Sequence, residues 1–108
     1  MTRVNKPLPG ASLYLVLALL DGEQHGYALM GRVAELSDGA WRMGPGTLYG
    51  TLNRLVADGL IEETRVDRDD SERRRYYALT ATGRSVATQE LARLQGLVHR
   101  VARHLPAT

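Results

Sequence analysis

The spacing of hydrophobic residues changes along this 108-residue chain, and each spacing predicts a different element. An apolar run rich in Leu and Ala covers Leu13–Leu20. Ser12, directly before the run, is suited to cap the start of a helix, and Asp21-Gly22, directly after it, is suited to end that helix. We interpret this run as a buried helix. A second, amphipathic helix is predicted over His25–Leu36, with His25 helping it to begin. The short stretch 40–43 is interpreted as a small strand.

A third helix is predicted from the stretch GPGTLYGTLNRL, which occupies residues 44–55. Its apolar residues recur at the intervals of a helix with one buried face. Asp58-Gly59 supplies its end, because glycine readily adopts the left-handed conformation of a C-terminal cap. Trp41, just before this helix, is expected to pack beside the hairpin that follows it. The residues expected on the buried stripe are Leu48, Leu52, Leu55 and Val56.

Two short strand-like runs come next, over residues 60–66 and 75–79. The charged stretch DRDDSERR separates them, so the pair is predicted to form a β-hairpin with a long tip. Thr80 then caps a last helix that is predicted to run from Ala81 to about Leu105. A helix of about 25 residues is about 37 Å long, which is more than the preceding domain can cover.

Apolar residues of the last helix recur at alternating intervals of four and three, the heptad spacing of a coiled-coil seam. One interpretation folds this helix back on its own core. The other pairs it with the same helix of a second copy, and we favour it because the domain is small. The residues of the predicted dimer interface are Ala87, Leu91, Leu94, Val98, Val101 and Leu105.

Three helices, a hairpin and a long helix follow one another in the order of a winged helix-turn-helix domain with a dimerisation helix. The predicted fold class is mainly α with a small β-hairpin wing. We divide the chain into an N-terminal arm over 1–11, a winged-helix DNA-binding domain over 12–80 and a C-terminal dimerisation helix over 81–108. In such a domain the third helix enters the DNA major groove, and the wing reaches the backbone or the minor groove.

The start of the third helix has the chemistry of a phosphate-binding site. Backbone N–H groups there lack partners within the helix and carry partial positive charge, and glycine leaves them accessible. Hydroxyls add donors toward phosphate, while outward arginine and asparagine suit guanine and adenine. A plain turn followed by solvated side chains is the alternative interpretation. The predicted DNA-binding residues of this helix are Thr47, Tyr49, Thr51, Asn53 and Arg54.

The hairpin carries a second basic cluster, formed by Arg73, Arg74 and Arg75 and followed by Tyr76. Arginine beside an aromatic ring suits contact with phosphate or with the minor groove. In the alternative interpretation these arginines pair with acidic residues of the tip, although such surface pairs contribute only about 0–1 kcal/mol each. We predict that these four residues contact DNA.

Composition narrows the function further. The formal net charge is only +2, with 14 Lys and Arg against 12 Asp and Glu, so the case for DNA depends on where the charges lie. The chain has no cysteine, its three histidines lack metal-binding spacing, and no motif of an enzyme nucleophile or a phosphate-binding loop occurs. We therefore predict no catalytic residue, no metal and no cofactor. No apolar run is long enough for a membrane helix, and we expect a soluble, cytoplasmic protein.

Four segments resemble the PadR family of bacterial transcriptional regulators, named for a phenolic-acid-responsive repressor. They are LVLALLDGEQHGYALMGRV, GPGTLYGTLNRLVADGLIEE, RRRYYALTATGR and the heptad-bearing last helix, and together they cover residues 12–108. The resemblance implies a homodimeric repressor that binds a palindromic double-stranded DNA operator and is often released by a small-molecule inducer, here of unknown identity. It also implies DNA contacts by Thr47, Tyr49 and the wing arginines. The short tail resembles the subgroup with one C-terminal helix.

The chain departs from the family pattern at three places. Gly50 stands where relatives commonly have proline, the wing tip is acidic instead of glycine-rich, and residues 81–108 lack the aromatic side chain that stacks on flat ligands in some relatives. A winged helix that binds another protein instead of DNA is the rival interpretation, because a fold alone does not determine function. A DNA-binding regulator differs from it by a steep dependence of DNA affinity on salt.

Overall fold

A computed structural model of the chain describes residues 7–67 and 74–106. The strands form one antiparallel sheet in the order β1-β3-β2, and the helices surround its inner face. This arrangement is the mainly helical fold with a β-hairpin wing and a long last helix that the sequence predicts. The elements in chain order are α1 (Gly10–Ala18), a 3-10 turn (Leu19–Asp21), β1 (Gln24–His25), α2 (Gly26–Leu36), α3 (Pro45–Ala57), β2 (Ile61–Asp67), β3 (Arg74–Leu79) and α4 (Ala81–Ala102).

The start of α1 differs from the sequence prediction. The helix begins at Gly10 with Pro9 as its N-cap, so Ser12 lies buried inside the helix and does not cap it. Trp41 covers this start: a Cβ added to Gly10 would overlap its ring, and its ring centroid lies 6.3 Å from that of Tyr14. Trp41 therefore packs on α1, and the expectation that it packs beside the wing is wrong.

The small strand lies elsewhere than predicted. Residues 40–43 form no strand; instead, Gln24 and His25 pair with Tyr77 and Tyr76 as β1 at the edge of the sheet. A two-residue strand has no periodicity that a sequence could reveal. The expectation that His25 starts α2 is confirmed, since its Nδ1 accepts a hydrogen bond from the backbone N of Ala28 at 3.2 Å.

The buried stripe of α3 is confirmed at three of its four positions. Leu48, Leu52 and Leu55 are completely buried between α1, α2 and the sheet. Val56 is 39% exposed, and its place on the stripe is therefore wrong. At 3.6 residues per turn it lies about 80° around the helix from Leu48, at the edge of the apolar face. Gly59, with φ of 77°, ends the helix region as predicted.

The base of the hairpin and the start of α4 form one tightly packed junction. Thr80 is the predicted cap of α4, and its Oγ1 accepts from the backbone N of Gly83 at 3.0 Å. The same hydroxyl lies 2.7 Å from the carbonyl oxygen of Gly59, to which it can donate. A Cβ on Gly83 would overlap the carbonyl oxygen of Leu60, so only glycine allows α4 to start this close to β2.

The last helix divides into a buried half and an exposed half. Val86, Ala87 and Glu90 are buried in the domain, whereas no residue from Leu91 to Pro106 is. Glu90 accepts hydrogen bonds from the backbone N of Leu8 at 2.7 Å and from Arg93 Nε at 2.8 Å. This buried carboxylate fixes the chain before α1 against α4. In the parts of the chain that the structure describes, no helix is long and apolar enough to span a membrane.

We expect Gly83→Ala to destabilise the domain by about 1–3 kcal/mol, because the added methyl group overlaps backbone that cannot move aside easily. The matched control is Gly31→Ala within α2, where an added Cβ meets nothing within 4 Å. That change should stabilise the domain by about 0.5–1 kcal/mol through helix propensity. Urea denaturation of both variants measures the contrast, and equal effects of the two substitutions would contradict the close packing at Gly83.

A second expectation concerns Tyr77, whose side chain is completely buried. Its hydroxyl makes no hydrogen bond of full geometry to a described residue, although the Arg75 guanidinium lies close to it. Burial raises the pKa of this hydroxyl, so the folded protein keeps the proton more firmly than the unfolded chain. The stability that results is present below the unfolded tyrosine pKa of about 10 and is lost as the pH rises above it. Tyr77→Phe should flatten this alkaline loss in urea denaturation while costing little stability at neutral pH. A large loss at neutral pH would mean that the hydroxyl forms a hydrogen bond.

Candidate nucleic-acid interface

The start of α3 differs from the starts of α2 and α4 because no side chain caps it. His25 and Thr80 each accept a backbone N–H at their helices, whereas Gly44 at the N-cap of α3 offers no side-chain acceptor. Pro45 occupies the first position, where its missing N–H costs nothing. The N–H groups of Gly46 and Thr47 are thus left for an external acceptor, and residues 44–47 are all exposed.

The outward face of α3 carries most of the predicted base-contacting residues. Thr47, Asn53 and Arg54 are exposed, and the side chains of Asn53 and Arg54 form no hydrogen bond or ion pair with a described residue. Gly50 is exposed between them and leaves open space in front of the helix backbone. Arginine and asparagine in this position can form bidentate hydrogen bonds with purine edges.

The prediction that Thr51 contacts DNA is contradicted by its burial. Its side chain is only 5% exposed, and its Oγ1 donates to the carbonyl oxygen of Thr47 at 2.8 Å. At 3.6 residues per turn Thr51 lies about 60° from Leu48, on the buried side of the helix. The hydroxyl therefore spends its donor on a backbone carbonyl of the same helix, four residues earlier.

Tyr49 bridges α3 to the start of α2. A Cβ on Gly26 would overlap the Tyr49 hydroxyl, so the missing side chain of Gly26 makes room for this ring. Burial raises the pKa of the Tyr49 hydroxyl, nearby Tyr27 raises it further, and the positive charge of Arg75 lowers it. Tyr49 is thus half-buried, with α2 and the wing on either side of its hydroxyl, and it remains neutral and able to donate at neutral pH.

The wing is described on both strands, and the predicted Arg73 lies outside the described residues. Arg75 is exposed, and its Nη1 lies 3.9 Å from Glu63 Oε2, the outer limit of an ion pair. Alternation along β3 places Arg75 on the same face as Tyr77, toward α3. Arg74 is half-buried at the far end of the strand, opposite Asp67.

Tyr76 lies on the opposite, outer face of the sheet and is surrounded by protein. The Arg65 guanidinium carbon sits 3.7 Å from its ring centroid, and the His25 ring meets it edge-on at 5.5 Å. These contacts leave Tyr76 half-buried. The structure thus separates Tyr76 from Arg75, which the sequence prediction grouped in one DNA-contacting cluster.

Sequence reasoning missed two neighbours of this surface. Tyr27 is 50% exposed in the first turn of α2 and adds a hydroxyl beside Tyr49. Glu23 holds Thr64 and Arg65 of the wing with its two carboxylate oxygens. Tyr27 lies in one of the four segments that resemble the PadR family, but that resemblance gives it no role. No pattern links Glu23 to residues about forty positions away.

A metal site does not occur among the described residues. Within 7–67 and 74–106, no group of three His, Asp or Glu side chains is arranged to hold an ion. The chemistry that the surface does offer is hydrogen-bond donation and positive charge. It comes from uncapped backbone, hydroxyls, an amide and two exposed arginines, all directed outward from α3 and the inner face of the wing.

Comparison of the chain with known proteins identifies a family that it matches. Residues 16–89 match the transcriptional regulator PadR-like family. The transcriptional regulator Rv3488 of Mycobacterium tuberculosis is 41% identical over 90 residues, which are 82% of this chain and 79% of that protein. An uncharacterised 37.1 kDa protein of transposon Tn4556 from Streptomyces fradiae is 37% identical over 91 residues. That match covers 82% of this chain but spans only a quarter of the longer protein.

The fold is also that of a solved member of the family. Bacillus subtilis PadR, solved in complex with operator DNA, superposes with a TM-score of 0.68 at 22% sequence identity. The match covers 80% of this chain and 48% of that one. Members of the family are DNA-binding regulators and not enzymes. On the family match over residues 16–89 and the 41% identity to a mycobacterial regulator, this chain belongs to the PadR-like family of transcriptional regulators.

Proposed function

We propose that this chain is a homodimeric transcriptional repressor that binds a palindromic DNA operator through α3 and the wing. The observation that carries DNA binding is the start of α3, where exposed backbone donors lack a cap. Thr47, Asn53 and Arg54 follow on the exposed side of the same helix. Phosphate oxygens are the acceptors that such a helix start favours, and an operator supplies them at regular spacing.

The polar residues of α3 divide into two roles under this proposal. Thr47 and Tyr49 orient the helix by donating to phosphates, which fixes register but reads no sequence. Asn53 and Arg54 have no protein partner in the described structure and read base edges in the major groove. Tyr27 extends the phosphate-binding side from the start of α2.

The wing adds positive charge beside the recognition helix. Arg75 gives up little when it turns from Glu63 to a phosphate, because an exposed pair at 3.9 Å is weak. Arg74 adds positive charge nearer the tip of β3, and Tyr76 supports the strand from its outer face. Arg73, which lies outside the described residues, is proposed to contact DNA on its sequence alone. The role of these residues in the proposal is affinity, since charge contacts with phosphate are the same for every sequence.

The exposed half of α4 is the proposed dimer surface. Leu91, Val98 and Val101 of this helix are 38–66% exposed, and Leu94 lies half-buried beside them. Leu105 is 64% exposed but lies beyond the end of α4, which is at Ala102 instead of the predicted Leu105. Ala87 belongs to the core of its own protomer, so we place the start of the seam at Leu91. A second copy is the occupant that the heptad spacing fits, and twofold symmetry would present two α3 helices to the half-sites of a palindrome.

Repression is the simplest consequence of such binding, because a dimer seated on an operator excludes other proteins from that DNA. We include release by a small-molecule inducer, as the family resemblance implies. Since α4 carries no aromatic side chain, the dimer seam offers no ring to stack on a flat ligand. The proposed site of action is the bacterial cytoplasm, where the DNA is.

The test of DNA binding uses a duplex selected by the wild-type protein from a random library, together with an unselected duplex, across a salt series. Arg54→Ala should weaken the selected duplex by about 1–3 kcal/mol and relax preference at one base pair of each half-site. Arg75→Ala should weaken both duplexes alike and flatten the salt slope by about one unit. Arg84→Ala, an exposed arginine in the first turn of α4, is the matched control and should leave both unchanged. Salt-independent or absent binding by the wild type would favour the rival, a protein-binding winged helix.

The dimer is tested by replacing Leu91 and Val98 with Glu. Two like charges facing each other across an apolar seam should separate the protomers, so light scattering should report monomers at tens of micromolar (about the range where nM–μM dimers persist). Leu36→Glu is the control, because Leu36 is 42% exposed at the end of α2 and off the seam. A wild type that is already monomeric at that concentration would contradict the proposed surface.

A further inference from the structure

Glu23 lies in the turn before β1 and takes no part in the DNA contacts proposed above. Its Oε2 accepts from Thr64 Oγ1 at 2.5 Å, and its Oε1 accepts from Arg65 Nε at 3.0 Å. Hydrogen bonds from Thr64 and then from Arg65 lower the pKa of this carboxyl, which is therefore ionised at neutral pH. One charged side chain thus holds two consecutive residues of a strand about forty positions away in sequence.

Glu23 can accept hydrogen bonds from the side chains of two consecutive residues because β2 is irregular at this point. Glu63 pairs with Tyr77 and Arg65 pairs with Tyr76, so Thr64 is an extra residue without a partner on β3. Side chains of neighbouring residues in a regular strand point to opposite faces. A β-bulge breaks this alternation and increases the local twist, and here it lets Thr64 and Arg65 reach the same carboxylate.

Arg65 continues the contact across the outer face of the sheet. Its guanidinium carbon lies 3.7 Å from the Tyr76 ring centroid, a cation–π arrangement, and the Tyr76 ring meets His25 edge-on. His25 caps α2. A continuous chain of contacts, Glu23–Arg65–Tyr76–His25, therefore joins the wing to the start of α2.

The two faces of β3 connect this chain to the proposed DNA surface. Tyr76 faces outward into the chain of contacts, whereas Arg75, next to it in sequence, faces α3 on the inner side. Arg75 is near enough to Tyr49 for its charge to lower the Tyr49 pKa. Any rotation of the wing at the bulge moves Arg75 relative to α3.

We propose that Glu23 is a positioning residue for DNA recognition, which holds the bulge at Thr64 and Arg65 and thereby sets the angle of the wing relative to α3. Glu23 does not contact DNA, since a carboxylate repels phosphate. The inference rests on the DNA binding proposed above. The proposal gives an acidic residue a favourable role in binding a polyanion. Removing the charge of Glu23 should therefore weaken DNA binding, whereas charge alone predicts that it strengthens binding.

The experiment compares Glu23→Gln with Glu62→Gln on the two duplexes described above, the selected and the unselected one. Both substitutions remove one negative charge, but Glu62 is exposed on β2, and its side chain forms no hydrogen bond or ion pair with a described residue. Charge alone predicts that each variant binds both duplexes slightly more tightly. Glu23→Gln, unlike Arg75→Ala, leaves the charge of Arg75 in place and changes only its position relative to α3. If Glu23 positions the wing, this variant should therefore weaken the selected duplex, on which α3 is held in one register, by about three- to tenfold. It should not weaken the unselected duplex, on which Arg75 can still reach a phosphate.

Two further variants separate positioning from loss of stability. Arg65→Gln removes the partner, so Glu23→Gln should add nothing to the selectivity loss in that background. Thr64→Val removes the other hydrogen bond without changing charge and should lower selectivity in the same direction. It also decides the question if Glu23→Gln fails to fold in a thermal melt. A merely structural role would lower the melting temperature while leaving the ratio of the two affinities unchanged.

The outcomes distinguish this inference from the function on which it rests. A wild type that binds neither duplex overturns both. The positioning role alone is overturned if the wild type binds with a steep salt slope and Glu23→Gln leaves the ratio of the two affinities unchanged. An equal rise in both affinities counts as an unchanged ratio. A selectivity loss in Glu23→Gln and Thr64→Val, absent in Glu62→Gln, supports it.

Discussion

The close approach of α4 to the base of the wing is the constraint on which the rest of the structure depends. The backbone N of Thr80 donates to the carbonyl oxygen of Leu60 at 3.0 Å, and Gly83 lies against the same carbonyl. This one peptide group therefore fixes the end of β3, the start of β2 and the direction of α4. Because Leu60 N in turn bonds the carbonyl oxygen of Leu55, the last turn of α3 is included as well. A domain of this size has a small core, and it gains its rigidity from such shared anchor points.

The three-stranded sheet separates support from contact. Its inner face carries Tyr77 and Arg75 toward α3, while its outer face carries Tyr76, which packs between Arg65 and His25. Arg65 and Arg75 thus have different environments: Arg65 lies beside an aromatic ring and a carboxylate, whereas Arg75 is exposed with a distant acidic neighbour. Contacts to Tyr76 on the outer face can therefore set the position of Arg75 on the inner face. Under the proposed function, they do so without occupying the DNA groove that Arg75 faces.

The sequence predicted the helices and the hairpin because each has a period or a stop of its own. Leu48, Leu52 and Leu55 share one face, and Gly59 ends their helix in the left-handed region. It did not predict β1, which is two residues long and exists only because β3 offers it an edge. The start of α1 was shifted for a similar reason: Trp41 packs over Gly10, and this tertiary contact has no local signature.

The candidate interface was predictable where a residue acts through its position on α3, and unpredictable where it acts through another chain segment. Thr51 is predicted to face outward but is buried, whereas Val56 is predicted to be buried but is exposed. The two lie at similar angles on opposite edges of the apolar stripe, so their angle around the helix does not separate them, and the segments packed against each edge decide which one is buried. Glu23 could not be found, since its partners become neighbours only through a bulge in β2. The same limit explains why a net charge of +2 says little about binding DNA. Affinity for a polyanion depends on charges that are free to face it, and an acidic residue already bound to Thr64 and Arg65 opposes it less than its formal charge suggests.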